Sequence, residues 1–314
     1  MPDWLIEQGI GENRAVRIEE GEIVEARILL DGVARAGSVR QGRLTKVGTP
    51  ALAVADGQEF LLPKGAPGIT EGSSFALEVT REAIPGAEPW KRPLARVAVD
   101  SSSAEAQSEE EVLPFPAPTD ALVAAGWDDL IDEARSGIVR FAGGELRVSP
   151  TPAMMLIDVD GTLGAYELAL AGARAAARSI LRHDIGGSIG VDLPTIAGKA
   201  QRQAIGEAVD AILPQPFERT AVNGFGFLQV VRPRRRASMF ELAADRPSFE
   251  ARALLRRTAM ETPGGKQIVA HPAVTAMLER RNNWIAALER QVGGSITLRS
   301  DPSLPIHAGY AEKS

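Results

Sequence analysis

The stretch that decides the fold is MMLIDVDGTL at residues 154–163, followed by an alanine-rich run and then HDIGGSIGVDL at residues 183–193. The apolar run from Met154 to Ile157 ends in Asp158-Val159-Asp160-Gly161, as a buried strand ends at a turn. Between Ala165 and Leu181, the residues Tyr166, Leu170, Ala173, Ala177 and Ile180 recur at helical spacing, and Gly186-Gly187 stops the helix. Ser188 to Leu193 reads as a second short strand carrying Asp192. Strand, helix, strand over this length predicts a βαβ unit with parallel strands and a right-handed crossover. Neighbouring strands lie about 4.8 Å apart. Asp158 and Asp192 would then stand side by side at the carboxyl edge, where open α/β sheets hold their ligands. The strand period of two puts Asp158 and Asp160 on one face. Carboxylates that converge on an exposed edge repel each other unless a cation sits between them. All-oxygen ligation suits Mg²⁺ or Mn²⁺.

The rest of the composition narrows the classes. At 314 residues with 44% apolar residues, the chain is long enough for one large or several small domains with real cores. It has no Cys, which removes disulfides, thiol nucleophiles and Cys-type zinc sites. His183, His271 and His307 are too scattered to suggest a His triad or a His-based zinc site. No apolar run approaches 18 residues, and Met1-Pro2-Asp3-Trp4 does not open a signal peptide. The expectation is a cytoplasmic protein without a membrane partner. A net charge of −6 gives no global argument for nucleic-acid binding, so any such role must rest on a local patch.

Outward from the centre, residues 1–36 read as short β segments with a hairpin turn at Glu20-Gly21. Residues 37–99 change to short strands broken by Gly and Pro, the rhythm of a small barrel of the OB type. Barrels of that kind bind single-stranded nucleic acid by stacking bases on aromatics over a basic groove. Phe60, Trp90, Lys91, Arg43 and Lys46 are the candidates. The plain alternative is that Phe60 fills the barrel core and the basic residues form a solvated rim. Residues 100–119 read as a linker, with the acidic Ser101–Glu111 run followed by LPFPAP. A catalytic α/β region is expected over 120–262, with helices at Trp127–Ser136, Gly198–Leu213 and Phe249–Met260 and strands at Gly143–Ser149 and Phe225–Val231. Arg232-Pro-Arg-Arg-Arg236 follows the last of these, where Arg forks would meet a phosphate chain approaching the metal. Thr262-Pro-Gly-Gly265 marks a boundary. Residues 263–314 then read as a small α/β module with a helix from Pro272 to about Gln291.

Two families share parts of this pattern. LIDVDGTL resembles the first motif of haloacid-dehalogenase-type phosphatases, in which Asp158 would be the nucleophile and Asp160 the acid/base. That family's later Ser/Thr, Lys and acidic pair have no counterpart after Asp192. The order of parts instead resembles the catalytic half of the bacterial ribonuclease E/G family. The carrying segments are WDDLIDEARSGIVRFAGGELRVSPTPAMMLIDVD, AAARSILRHDIGGSIGVDL and NGFGFLQVVRPRRR. The resemblance implies a ribonuclease-H-like segment interrupted by an RNA-binding barrel, a DNase-I-like metal-binding subdomain and a small C-terminal domain. It further implies a Mg²⁺-dependent endoribonuclease acting on single-stranded RNA and leaving 5′-phosphate and 3′-hydroxyl ends. Asp158 and Asp192 match its metal-binding catalytic aspartates. Asp160 falls where the family has a supporting Asn. Phe60, Lys91, Arg232 and Arg234 match RNA-contacting positions. The family's 5′-end-sensing segment is replaced by the acidic linker. Its zinc-binding Cys pair is absent, so no zinc and no zinc-linked tetramer are expected. A non-catalytic RNA-binding relative is the third reading.

Overall fold

The computed structural model describes residues 4–85, 91–98 and 110–313. The chain begins with strands β1 (Trp4–Gln8), β2 (Glu12–Glu19) and β3 (Glu22–Leu30). Next come β4 (Val39–Lys46), β5 (Ala51–Ala55), β6 (Gln58–Leu62), β7 (Ser74–Arg81), β8 (Leu94–Val97) and β9 (Glu110–Leu113). Helices α1 (Ala121–Ala124) and α2 (Trp127–Ser136) lead into β10 (Ile138–Phe141), β11 (Gly144–Pro150) and β12 (Met155–Gly161). The central region continues through α3 (Ala165–Arg182), β13 (Gly187–Asp192), α4 (Lys199–Asp210), β14 (Glu218–Arg219) and β15 (Phe227–Arg232). The chain ends with α5 (Met239–Ala244), α6 (Arg246–Ala259), β16 (Lys266–Ala270), α7 (Pro272–Glu279), α8 (Asn282–Val292), β17 (Ile296–Ser300) and β18 (Tyr310–Lys313). The class is mixed α/β. Among the described residues, no helix is long and apolar enough to cross a membrane.

Two compact units account for these elements. One gathers residues from 1–31, 109–128 and 242–314. It contains a sheet of order β3-β2-β1-β9 and a three-stranded sheet of order β17-β16-β18. The hairpin between β2 and β3 turns on Glu20 and Gly21, both at positive φ, as the Glu-Gly pair predicts. Three expectations need correction here. Glu110 and Glu111 belong to β9, which runs parallel to β1 with Trp4 opposite Glu110, and not to a linker. Ladder pairing satisfies backbone groups that composition alone would leave to water. Residues 100–109 of the expected linker lie outside the described residues. The boundary at Thr262–Gly265 also falls inside a core. Ala251, Leu254 and Leu255 of α6 pack with Ile268, Val274 and Leu288, so α6 belongs with the tail. The single helix expected from Pro272 breaks at Arg280-Arg281 into α7 and α8.

The other unit gathers residues from 32–108 and 129–241. Strands β4-β5-β6-β8-β7 close into the expected small barrel around Leu44, Ala53, Phe60, Leu62, Leu77 and Val79. A six-stranded sheet has the order β10-β11-β12-β13-β15-β14. Its apolar face packs on α3 and α4 through Leu146, Ile157, Val159, Ile189, Val191 and Val230. Gly172 lets α3 approach closely, since a Cβ there would stand 2.4 Å from a Val159 methyl. Glu82, just past β7, ties the barrel to the sheet. Its backbone N–H donates to the Arg235 carbonyl at 2.8 Å, and its buried carboxylate meets Arg236 at 3.5 Å.

Candidate metal centre

Alternation along β12 fixes which side chains leave the core. Met155, Ile157 and Val159 are buried, and Asp158 and Asp160 project from the opposite face. On β13 the buried Ile189 and Val191 leave Asp192 exposed at the strand end. The two strands pair in parallel, with Asp158 directly opposite Asp192. Their carboxylates therefore share one face of the sheet on neighbouring strands about 4.8 Å apart. Helix capping, one ordinary structural role for such residues, is ruled out. Helix α3 is capped at Gly164 and α4 at Gly198, neither with a side-chain hydrogen bond, so none of the three aspartates caps a helix.

The electrostatics follow from this crowding. Partial burial, then the Asp160 and Asp192 charges, hold the Asp158 carboxyl above its ordinary value, against the opposing pull of the Val159 N–H and Arg147. The folded state binds the Asp158 proton more tightly than the unfolded chain, so ionising Asp158 costs stability. That cost is absent below the ordinary Asp pKa of about 3.9 and complete once pH exceeds the raised folded value. Asp158→Asn is expected to raise the melting temperature at neutral pH, in chelator, by roughly 1–3 °C, a small effect because solvent screens an exposed site. The gain should fade on acidification. An equal gain at acid and neutral pH would show that charge is not its source.

Arg147 is a site residue that the sequence reading missed. It sits opposite Asp158 on β11, and its Nε lies 3.5 Å from an Asp160 oxygen. Asp160 therefore meets a positive partner, one that it shares with Glu145, to which Arg147 Nη2 donates at 2.8 Å. The signal in the sequence was the alternation of GELRVSP, but reading it requires the antiparallel register of β11 on β12.

Among the described residues, no group of three or more His, Asp or Glu side chains is arranged to hold a metal ion. A cation at this edge would rest on the Asp158–Asp192 pair, with water completing its shell. That donor set fits Mg²⁺, which keeps several waters and binds through one or two carboxylates.

No family model and no curated protein matches this chain.

The nucleic-acid candidates fare unevenly. Phe60 is fully buried in the barrel core beside Leu62 and has no face to offer a base, which corrects the stacking assignment. Its parity on β6 points it inward once the barrel closes. Arg43 is exposed on β4 and donates through Nε to the Gly72 carbonyl at 2.9 Å. Lys46 is exposed and Lys91 half-buried. Trp90 lies outside the described residues. The arginine cluster sits at the wrong end for its expected place. Because β15 runs antiparallel to β13, Arg232 lies opposite Gly187, five residues and roughly 16 Å along the strand from Asp192. Arg232 donates to the Ile185 carbonyl at 3.1 Å, Arg234 pairs with Glu241, and Arg236 reaches Asp184 at 2.9 Å.

Proposed function

We propose that the chain is a Mg²⁺-dependent endoribonuclease cutting single-stranded RNA, acting through Asp158 and Asp192. The observation that carries this reading is the in-register pair of aspartates on adjacent parallel strands at an exposed carboxyl edge. The ordered matches to the ribonuclease E/G family over residues 127–236 support it. In that reading, residues 1–36 are the start of a ribonuclease-H-like segment, the barrel is its insertion and the six-stranded sheet is the DNase-I-like subdomain. Asp158 and Asp192 bind the cation, and Asp160 is held by Arg147. The Arg147 guanidinium donates through Nη2 to Glu145 at 2.8 Å and keeps Nη1 to orient the phosphodiester oxygens. When bound, Mg²⁺ lowers the pKa of a coordinated water and neutralises charge on the phosphate oxygens. The products carry 5′-phosphate and 3′-hydroxyl ends. Exposed basic residues such as Arg43 and Lys46 supply sequence-tolerant backbone contacts, so affinity falls steeply with salt. A cytoplasmic setting goes with an RNA substrate.

The test is incubation of a fluorescent single-stranded RNA with Mg²⁺ or EDTA, wild type beside Asp192→Asn. Internal cutting that needs both the metal and Asp192 is the expected result. Salt-sensitive binding without cutting would point to a non-catalytic RNA-binding protein. Phosphate release from a small phosphoester, with RNA left intact, would point to the phosphatase chemistry of Asp158 and Asp160.

A further inference from the structure

Phe225 is 83% exposed, although aromatic side chains of its size normally bury most of their surface. The sequence places it at the start of a strand, but β15 begins only at Phe227, leaving Phe225 at the tip of the preceding loop. That tip is not loose. The Asn223 side-chain oxygen accepts from the N–H groups of Phe225 at 2.9 Å and Phe227 at 3.0 Å. The Asn223 N–H donates to the Phe227 carbonyl at 3.0 Å, and Gly226 closes the turn by donating to the Asn223 carbonyl at 3.2 Å. Two further bonds pin the loop to the segment that follows Asp192. The Leu193 N–H donates to the Gly226 carbonyl and the Thr195 hydroxyl to the Phe225 carbonyl, each at 3.3 Å. Gly226 is required there. Its φ is +95°, and a Cβ would stand 2.1 Å from the Leu193 carbonyl oxygen. Phe227 lies directly opposite Asp192, so the loop carries Phe225 at the same edge of the sheet as the carboxylate pair.

A rigid loop that holds a solvent-facing aromatic beside a carboxylate pair has the form of a stacking platform. We infer that Phe225 stacks on a nucleobase flanking the phosphodiester held at Asp158 and Asp192, taking the place that the buried Phe60 cannot fill. The inference rests on the nuclease reading. A protein partner is less well matched, because the flanking Asn223, Gly224, Gly226 and Thr195 give no contiguous apolar patch of the size that interfaces use. Stacking on an aromatic is sequence-tolerant, since every base has a π-face, so Phe225 would fix the position of the strand without dictating its sequence.

The test compares kcat/KM of wild type, Phe225→Ala and Phe225→Trp on a single-stranded RNA. Each is repeated on RNAs with an abasic site at one of the two nucleotides flanking the mapped cut. Phe225→Ala is expected to lose roughly 5- to 150-fold on intact RNA, with Phe225→Trp restoring most of it. On the RNA lacking the stacked base, wild type should fall to the level of Phe225→Ala, and the two proteins should no longer differ. Equal kcat/KM for wild type and Phe225→Ala on intact RNA would overturn the inference while leaving the nuclease reading standing. A Phe225→Ala protein that changes its sedimentation but not its kcat/KM would overturn it in favour of a contact between copies of the chain. A wild type that does not cut RNA at all would end the nuclease reading and this inference with it.

Discussion

Arg256→Leu is expected to destabilise the protein by about 3–5 kcal/mol, measured by urea unfolding, because it takes the two-pronged partner from buried Glu7 and leaves half-buried Asp120 without its cation. Arg256 is 5% exposed and forms a two-pronged pair with Glu7, Nε to one oxygen at 2.9 Å and Nη2 to the other at 2.8 Å. The same nitrogen reaches Asp120 at 2.8 Å. Burial alone would lower the Arg256 pKa, and Glu7 and Asp120 more than reverse it. The chain of charge continues from Glu7 to Arg14 at 2.7 Å, from Arg14 to Glu12 at 2.8 Å, and from Glu12 to Arg252 at 2.6 Å. Burial of Asp120 opposes its ionisation, but hydrogen bonds from Arg256 and the Val123 N–H prevail and depress its pKa. The stabilisation from Asp120 is thus full above about pH 3.9 and fades as pH falls through the depressed folded value. Replacing Glu7 and Arg256 together by leucine should cost less than Arg256→Leu alone, since paired apolar replacements remove the stranded charge. Additive losses would mean that the two residues act independently.

Asp158→Asn and Asp192→Asn are each expected to lower metal-dependent RNA cleavage by roughly 10²- to 10⁴-fold, the several kcal/mol that a coordinated cation contributes to the transition state. Folding should survive, because both side chains face away from the core that Ile157, Val159, Ile189 and Val191 build with α3 and α4. The double variant should lose little more than either single one, because in the proposed mechanism both residues serve one cation and such effects are not additive. Multiplying losses would place the two aspartates in separate roles.

The central βαβ unit was legible because its grammar is local. An apolar strand, a helix of alanine and spaced apolar residues, a double glycine and a second strand leave little freedom, and Asp158 came out opposite Asp192 as that order requires. The barrel was legible as a rhythm of short strands, and it closes with five of them. What failed was non-local. The inward orientation of Phe60 depends on barrel closure, which no single strand reveals. The place of Arg232–Arg236 depends on β15 running antiparallel to β13, which reverses the end of the sheet at which the cluster emerges. Those arginines instead bind the chain to itself, Arg236 joining Glu82 beside the barrel to Asp184 beyond α3. Arg147 was missed for the same kind of reason, since its neighbours are set by the β11–β12 register. Strand β18 escaped because three of its four residues are exposed and Tyr-Ala-Glu-Lys carries no core stripe, its place being fixed by pairing with β16.

The most direct test of the paired-aspartate site is the melting temperature of the chelator-treated protein as Mg²⁺ is added, for wild type, Asp158→Asn and Asp192→Asn. The wild type should gain stability along a saturable curve, about 1.4 kcal/mol when Mg²⁺ reaches ten times its Kd, and neither variant should follow it. An equal rise in all three proteins, or none in the wild type, would contradict a divalent-cation site between Asp158 and Asp192.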